Sequence, residues 1–142
     1  MNKIENVYGL AASVLGGFIT TIFGGWTQGI QILLIMMLID MISGITSAVL
    51  CKSTKTKTGA LNSYITWKGI CKKLATLLMV GMAFQLDQAL NTNIIRDTTV
   101  IFFIFNEGTS ILENMGNIGV PLPSIIKKAL DLLKEKSESE TP

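Results

Sequence analysis

Long apolar runs separated by short polar segments dominate the hydrophobic pattern of this chain. Residues 6–39 contain no charged side chain, although a helix that crosses a bilayer needs only about 20 mostly apolar residues. We therefore expect an all-α, multi-pass transmembrane protein that occupies residues 1–142 as a single membrane domain. Helical periodicity predicts its long helices at about residues 7–26, 30–50, 74–89 and 98–115.

Two of these segments leave the number of spanning helices open between three and four. The first helix is rich in glycine and threonine, a composition that would also suit a helix lying in the membrane interface. The fourth starts with the apolar stretch TVIFFIF, but Glu107 and Glu113 follow it closely. Because charged side chains are costly at mid-bilayer, this helix either lines water or leaves the membrane after about Leu112.

The first helix carries its small residues on one side. At helical spacing they fall within an arc of roughly 100°. Small residues let two helix backbones approach closely in lipid, which strengthens their packing. We expect a helix-packing face here, within one chain or between copies, and Gly44 of the second helix is a further candidate. The residues of the first helix are Gly9, Ser13, Gly16, Gly17, Thr20 and Gly24.

An aspartate interrupts the most apolar run of the chain. Asp40, Ser43, Gly44 and Ser47 fall on one face of the predicted second helix. A charged aspartate facing lipid at mid-depth costs about 2.5–3.5 kcal/mol on insertion scales. The side chain should therefore be protonated, paired, or turned toward protein or water. A functional role and a structural hydrogen bond to a neighbouring helix both remain open.

Further polar residues recur at helical spacing in the third and fourth segments. Asp87 lies near the far end of the third helix, where it could also reach water. In the fourth segment, one stripe of polar residues has Glu107 and Asn114 at its edge. We predict that these residues form a polar face toward a pore or toward other copies. The predicted face comprises Asp40, Ser43, Ser47, Asp87, Asn106, Glu107, Ser110, Glu113 and Asn117.

Residues 51–73 form a basic stretch without a single acidic side chain. Short basic loops stay on the cytoplasmic side of a membrane. We therefore expect a cytoplasmic loop that sets the topology and contacts anionic lipid, and no binding of nucleic acid. With four spans, both ends of the chain share that side, and Arg96 alone among the basic residues lies outside. The lysines of the loop are Lys52, Lys55, Lys57, Lys68, Lys72 and Lys73.

The last part of the chain changes character after Pro121 and Pro123, which end any preceding helix. Residues 124–136 have one apolar and one charged face. They predict a short amphipathic helix that rests on the membrane surface or on partner helices. Residues 137–142 are expected to be disordered.

The chemistry of the chain argues against catalysis. The sequence contains no histidine and two cysteines, and those cysteines fit no zinc spacing. Triads that require histidine are therefore impossible, and no glycine-rich phosphate-binding pattern occurs. We expect a protein that is not an enzyme and that uses no metal or other cofactor.

Four stretches of the sequence resemble a known family. They are LIDMISGITSAVL, KTKTGALNS, WKGICKK and NEGTSILENMGNIGVPLP. Together they resemble the small holins of Gram-positive phages and of toxin-secretion loci. The resemblance covers roughly Ile30 to Lys136, and residues 106–121 are its most specific part.

The resemblance implies a membrane protein without enzymatic activity that self-associates in the cytoplasmic membrane of a bacterial host. At a set time such proteins open lesions through which a cell-wall lytic enzyme, or a large toxin, crosses. The implied partners are the lipid bilayer, further copies of the chain, and a hydrolase or toxin that need not bind directly. Two alternatives stay open: a small ion channel or transporter subunit, and a membrane adaptor with cytoplasmic partners.

Overall fold

The computed structural model describes residues 3–139, and all regular secondary structure among them is helical. The all-α fold expected from the sequence is therefore confirmed. The helices, in chain order, are α1 Lys3–Phe23, α2 Gln28–Val49, α3 Ser63–Leu90, α4 Ile94–Ile118 and α5 Ser124–Ser139.

Helix α4 is the centre of the bundle, because α2, α3 and α5 all pack on it. The core lies where α2, α3 and α4 meet. Leu33 of α2 and Val80 of α3 are fully buried there, beside Val100 and Ile104 of α4. Val100 and Ile104 lie one helical turn apart and so face the same neighbours. Helix α1 lies outside this core and packs against α3.

Three of the described helices are long and apolar enough to cross a membrane: Ile4–Phe23, Gln28–Val49 and Ser63–Leu90. Many of their large apolar side chains point outward, such as Phe18 and Leu38. Extensive exposed apolar surface suits helices whose solvent is lipid. Helix α4 is of similar length, but amides and carboxylates interrupt its apolar stretch, so it is not among these three.

Helix α3 begins at Ser63, well before the start near residue 74 that the sequence predicted. The side chain of Asn62 explains the early start, since its Oδ1 accepts hydrogen bonds from the backbone N–H groups of Tyr64 and Ile65. The prediction that residues 51–73 form one loop is therefore wrong. Lys68, Lys72 and Lys73 lie on α3 instead.

Helix α1 ends at Phe23, not at residue 26. Gly24 and Gly25 follow with φ of +74° and +100°, which glycine adopts without the strain of a Cβ. A Cβ on Gly24 would also collide with the ring of Phe84. Gly24 therefore lies in the turn after α1 and not on the helical stripe that the sequence predicted, although it does permit a close contact with α3.

Helix α5 continues to Ser139, so residues 137–139 are helical rather than disordered. The remaining predicted disorder, residues 140–142, lies outside the described residues. The helix rests on a partner helix, since Leu130 packs over Gly108 of α4.

Helix α5 runs back along α4 toward the α3–α4 turn. Ser137 lies there beside Ile94 and Thr98. The end of α5 therefore lies at the opposite end of α3 from the loop at residues 50–62. The expectation that the tail and the basic loop share one side of the membrane stays a prediction.

Candidate functional site

A charged cluster joins the three core helices. Lys73 of α3 points its Nζ between two carboxylates. It donates to Oδ2 of Asp40 on α2 at 2.9 Å and also to Oε2 of Glu107 on α4. Side-chain exposure is only 19% for Lys73, 11% for Asp40 and 13% for Glu107. Each charge is thus partly removed from solvent and held by an opposite charge.

Asn114 of α4 completes the charged cluster from the buried side. Its Nδ2 donates to Oδ1 of Asp40 at 3.1 Å and to Oγ of Ser43 at 3.0 Å. A Cβ on Gly44 would stand 3.5 Å from the same Nδ2, so Gly44 lies at this contact between α2 and α4. Both oxygens of Asp40 therefore have donors, which satisfies a carboxylate inside a helix bundle.

The charged cluster holds Asp40, Lys73 and Glu107 as its ionised groups, with Asn114 and Ser43 as neutral partners. Two carboxylates against one ammonium leave it one negative charge in excess. Burying charges is costly unless they are paired and hydrogen-bonded. The pairing depends on all three helices, so any movement of α3 away from α2 and α4 would leave unpaired charges.

Asp87 belongs to a different and local arrangement. Its carboxylate accepts from Thr92 Oγ1 at 2.6 Å, from Ile95 N at 3.1 Å and from Arg96 N at 2.8 Å. The last two are free N–H groups in the first turn of α4, where Asn93 makes no side-chain capping bond. Asp87 therefore caps α4 from the end of α3 and fixes the turn between them.

The remaining polar residues of the predicted face are divided: Asn106 and Ser110 lie beside the charged cluster, whereas Glu113 and Asn117 lie apart from it. Asn106 and Glu113 are exposed on α4. Ser110 accepts a hydrogen bond from Nζ of Lys55 at 3.3 Å, and Asn117 lies 3.5 Å from Oγ1 of Thr54.

Ser47 is fully buried in α2, and its hydroxyl has no hydrogen-bond partner among the described residues. Of the predicted face, the structure thus brings together Asp40, Ser43, Glu107 and Ser110, with Asn106 lining the cavity beside them.

Sequence reasoning missed two members of the charged cluster. The sequence pattern places Lys73 in the basic loop and Asn114 at the edge of the polar stripe. The sequence signal that would place Lys73 on a helix is Asn62, which caps the start of α3. Once α3 begins there, Lys73 falls on the same face as Val80 and Asp87, at seven-residue spacing.

The small-residue stripe of α1 meets no other helix of the described chain. A Cβ on Gly9, Gly16 or Gly17 would touch nothing within 4 Å. The hydroxyls of Ser13 and Thr20 donate to carbonyls four residues earlier, at 2.8 Å each. The stripe therefore has no packing partner within residues 3–139, and packing between copies stays a prediction.

The lysines of the predicted basic loop separate into distinct environments. Nζ of Lys52 donates to the carbonyl of Ile118 at 3.2 Å and so helps to close the C-terminal end of α4. Lys57, Lys68 and Lys72 are exposed.

Within residues 3–139, no group of three or more histidine, cysteine, aspartate or glutamate side chains could hold a metal ion. Cys51 and Cys71 are exposed free thiols.

Comparison with known proteins identifies the family of this polar-cored helical bundle. The bacteriophage holin family matches residues 17–135, which span α2 to α4, most of α5 and the last third of α1. The chain belongs to the bacteriophage holin family. Holins are pore-forming membrane proteins without enzymatic activity. The family and the apolar helices together locate the chain in a membrane.

Individual relatives agree with the family. A Bacillus phage phi105 protein named "probable holin" is 29% identical over 118 residues, which cover 82% of each chain. A Clostridium perfringens 14.9 kDa protein from the nagH 3′ region is 36% identical, over 96% of this chain and 99% of its own length. YqxH of Bacillus subtilis is 33% identical, over 82% of this chain and 79% of its own length. No solved structure matches the chain.

Proposed function

We propose that this holin self-assembles in the cytoplasmic membrane of a bacterial host and opens lesions that release a cell-wall lytic enzyme. The observation that carries the proposal is the family match over residues 17–135, combined with three helices able to cross a membrane. The role of the family in lysis suggests a lytic enzyme as the cargo, and the exposed apolar surface of the helices suggests a location in the membrane. In the toxin-secretion variant of the proposal, the cargo is a large toxin instead.

In the proposed mechanism, single chains wait in the membrane with their inner charges satisfied. Lys73 pairs with both Asp40 and Glu107 within one chain, so each carboxylate has a cationic partner without help from other copies. The uncovered stripe of α1 is then the surface available for self-association, because small residues permit close helix contact in lipid.

The charged face of α5 supports a water-lined assembly. All its charged side chains are exposed while α5 is docked on α4. A lysine or aspartate at mid-bilayer costs about 2.5–3.5 kcal/mol on insertion scales. We infer that copies turn their α5 helices toward the aqueous lumen of the lesion. The residues of this face that the sequence identified are Lys127, Lys128, Asp131, Lys134 and Glu135.

Inducible expression in a bacterial host tests the function. Three cultures are compared: one expresses the chain alone, one expresses a cell-wall hydrolase without an export signal, and one expresses both proteins. Culture turbidity is followed in each. A holin predicts abrupt clearing only when both proteins are present. Ion leakage without hydrolase release would contradict the proposal and favour a small channel. An unchanged membrane permeability would contradict it in favour of an adaptor.

Thiol labelling tests which surface meets the lumen. Cys51 and Cys71 are first replaced by serine, and a single cysteine is then introduced by Lys128→Cys or, as the lipid-facing control, Leu38→Cys. A membrane-impermeant thiol reagent added outside the cell should label the Lys128→Cys protein only after lesions open. Equal labelling of both variants, or none at Lys128→Cys in open lesions, would contradict an α5-lined lumen.

A further inference from the structure

The seam between α3 and α4 has a basic end and an apolar end, each with its own cavity. Its basic end is an open cavity of about 810 Å³ that lies beside the charged cluster. Lys55, Lys68 and Lys72 line it together with Lys73. The first three lysines make no ion pair within the described residues.

The charge balance of the basic end favours an anion. Its four lysines face two carboxylates, Asp40 and Glu107, which leaves two positive charges in excess. Both carboxylates are already occupied by Lys73. Lys68 and Lys72 lie one turn apart on α3 and so present their ammonium groups to the same volume.

The other end of the seam is apolar. A cavity of about 510 Å³ is lined by Met79 and Leu90 of α3 and by Phe102 and Phe103 of α4. Phe103 lines both cavities, so the basic and the apolar cavity adjoin at this side chain. Lys72 and Met79 are about 10 Å apart along the helix axis, at about 1.5 Å per residue. A basic cavity about 10 Å from an apolar one suits a phospholipid, which has a charged head group next to apolar acyl chains.

We propose that the α3–α4 seam binds an anionic phospholipid. Its phosphate lies among Lys55, Lys68 and Lys72, and an acyl chain passes Phe103 toward Met79. Lysine ammonium groups are effective phosphate partners, and basic pockets between membrane helices hold lipid head groups. The inference requires the chain to lie in a bilayer, but it does not require the chain to open lesions.

Binding to the purified, detergent-solubilised protein tests the proposal directly. Phosphatidylglycerol, phosphatidylcholine with the same acyl chains, and free glycerophosphate are each titrated, while thermal unfolding and lipid retention in native mass spectrometry are measured. We expect phosphatidylglycerol to raise Tm and to remain bound, and the other two to do neither. Equal effects of phosphatidylcholine would overturn the charge requirement. Equal effects of glycerophosphate would reassign the site to soluble anions and overturn the lipid.

Variants locate the site on the seam. Lys68→Gln/Lys72→Gln should weaken phosphatidylglycerol binding by about tenfold or more, because each lysine near an anionic lipid contributes measurably. Asn106→Glu adds a carboxylate to the basic end while keeping every lysine, so it should also weaken binding. The matched control, Lys127→Gln/Lys128→Gln on α5, makes the same change of charge away from the seam. The proposal fails if this control weakens binding as much as Lys68→Gln/Lys72→Gln does.

Discussion

Two buried aspartates on the long helices look alike in sequence and differ in what holds them. Asp87 is 3% exposed, and its acceptors are filled by Thr92 and by two backbone N–H groups just after it in the chain. Asp40 is 9% exposed, and its partners come from two other helices, Lys73 on α3 and Asn114 on α4.

The difference separates a local role from a tertiary one. The hydrogen bonds of Asp87 persist as long as the α3–α4 turn exists, whichever way the bundle is arranged. Those of Asp40 exist only while three helices keep their positions. A protein that must change from dispersed chains to an assembly can alter the surroundings of Asp40 but has no need to alter those of Asp87. We therefore expect Asp40 to report on the assembly state and Asp87 on folding alone.

The largest effect is expected from Lys73→Met. The substitution leaves Asp40 and Glu107 without their cation, and removing one partner of a buried ion pair costs about 3–5 kcal/mol. Unfolding in mixed detergent micelles measures the loss of stability. The matched control is Lys72→Met, because Lys72 is the exposed residue just before Lys73 on the same helix and makes no ion pair within residues 3–139. A cost for Lys72→Met as large as that for Lys73→Met would contradict the pairing.

A double-mutant cycle sharpens the comparison further. Asp40→Asn and Lys73→Met should be coupled by about 0.5–3 kcal/mol, because the second substitution removes a partner that the first has already lost. Asp87→Asn combined with Lys73→Met should be additive within about 0.5 kcal/mol, since the two side chains share no partner. Unfolding free energies of the single and double variants provide both numbers. Equal coupling in the two cycles would erase the distinction between the aspartates.

Asp87→Ala should have a moderate cost of about 0.5–2 kcal/mol, the range for loss of a helix N-cap. The N–H groups of Ile95 and Arg96 lose their acceptor, and α4 should fray at its first turn. Amide hydrogen exchange at these positions should accelerate. Exchange at Asn114, at the other end of α4, should stay unchanged. Faster exchange along the whole helix would mean that Asp87 does more than cap it.

Some of these distinctions follow from the sequence, and others require the fold. Apolar length alone predicts the helices, and the cost of burying a charge predicts that Asp40 is paired or turned away from lipid. Asp40 and Asp87 each lie on a helix face with other small or polar residues, however. The sequence pattern therefore cannot tell which aspartate is hydrogen-bonded by its neighbours in the chain. The partner of Asp40 is 33 positions away, and only the arrangement of α3 against α2 identifies it.

The misassigned segments have physical causes as well. Residues 51–73 contain many loop-forming residues, so the capping side chain of Asn62 was hidden among them. Gly24 continues the helical spacing of the α1 stripe, but its positive φ belongs to a turn. In both places a local feature sets the helix boundary: the capping hydrogen bonds of Asn62 start α3, and the positive φ of Gly24 ends the helical path of α1.

Ser47→Ala should have the smallest effect and still tests the comparison. Ser47 lies on the same face of α2 as Asp40 and Ser43, yet its buried hydroxyl makes no hydrogen bond among the described residues. Removing an unsatisfied buried hydroxyl is expected to be neutral or to stabilise by up to about 1 kcal/mol. Ser43→Ala is the matched control and should destabilise, because Ser43 Oγ accepts from Asn114 at 3.0 Å. A clear loss of stability in Ser47→Ala would mean that Ser47 belongs to the charged cluster. Position on the helix face, and not the presence of hydrogen-bond partners, would then decide which polar residues stabilise the fold.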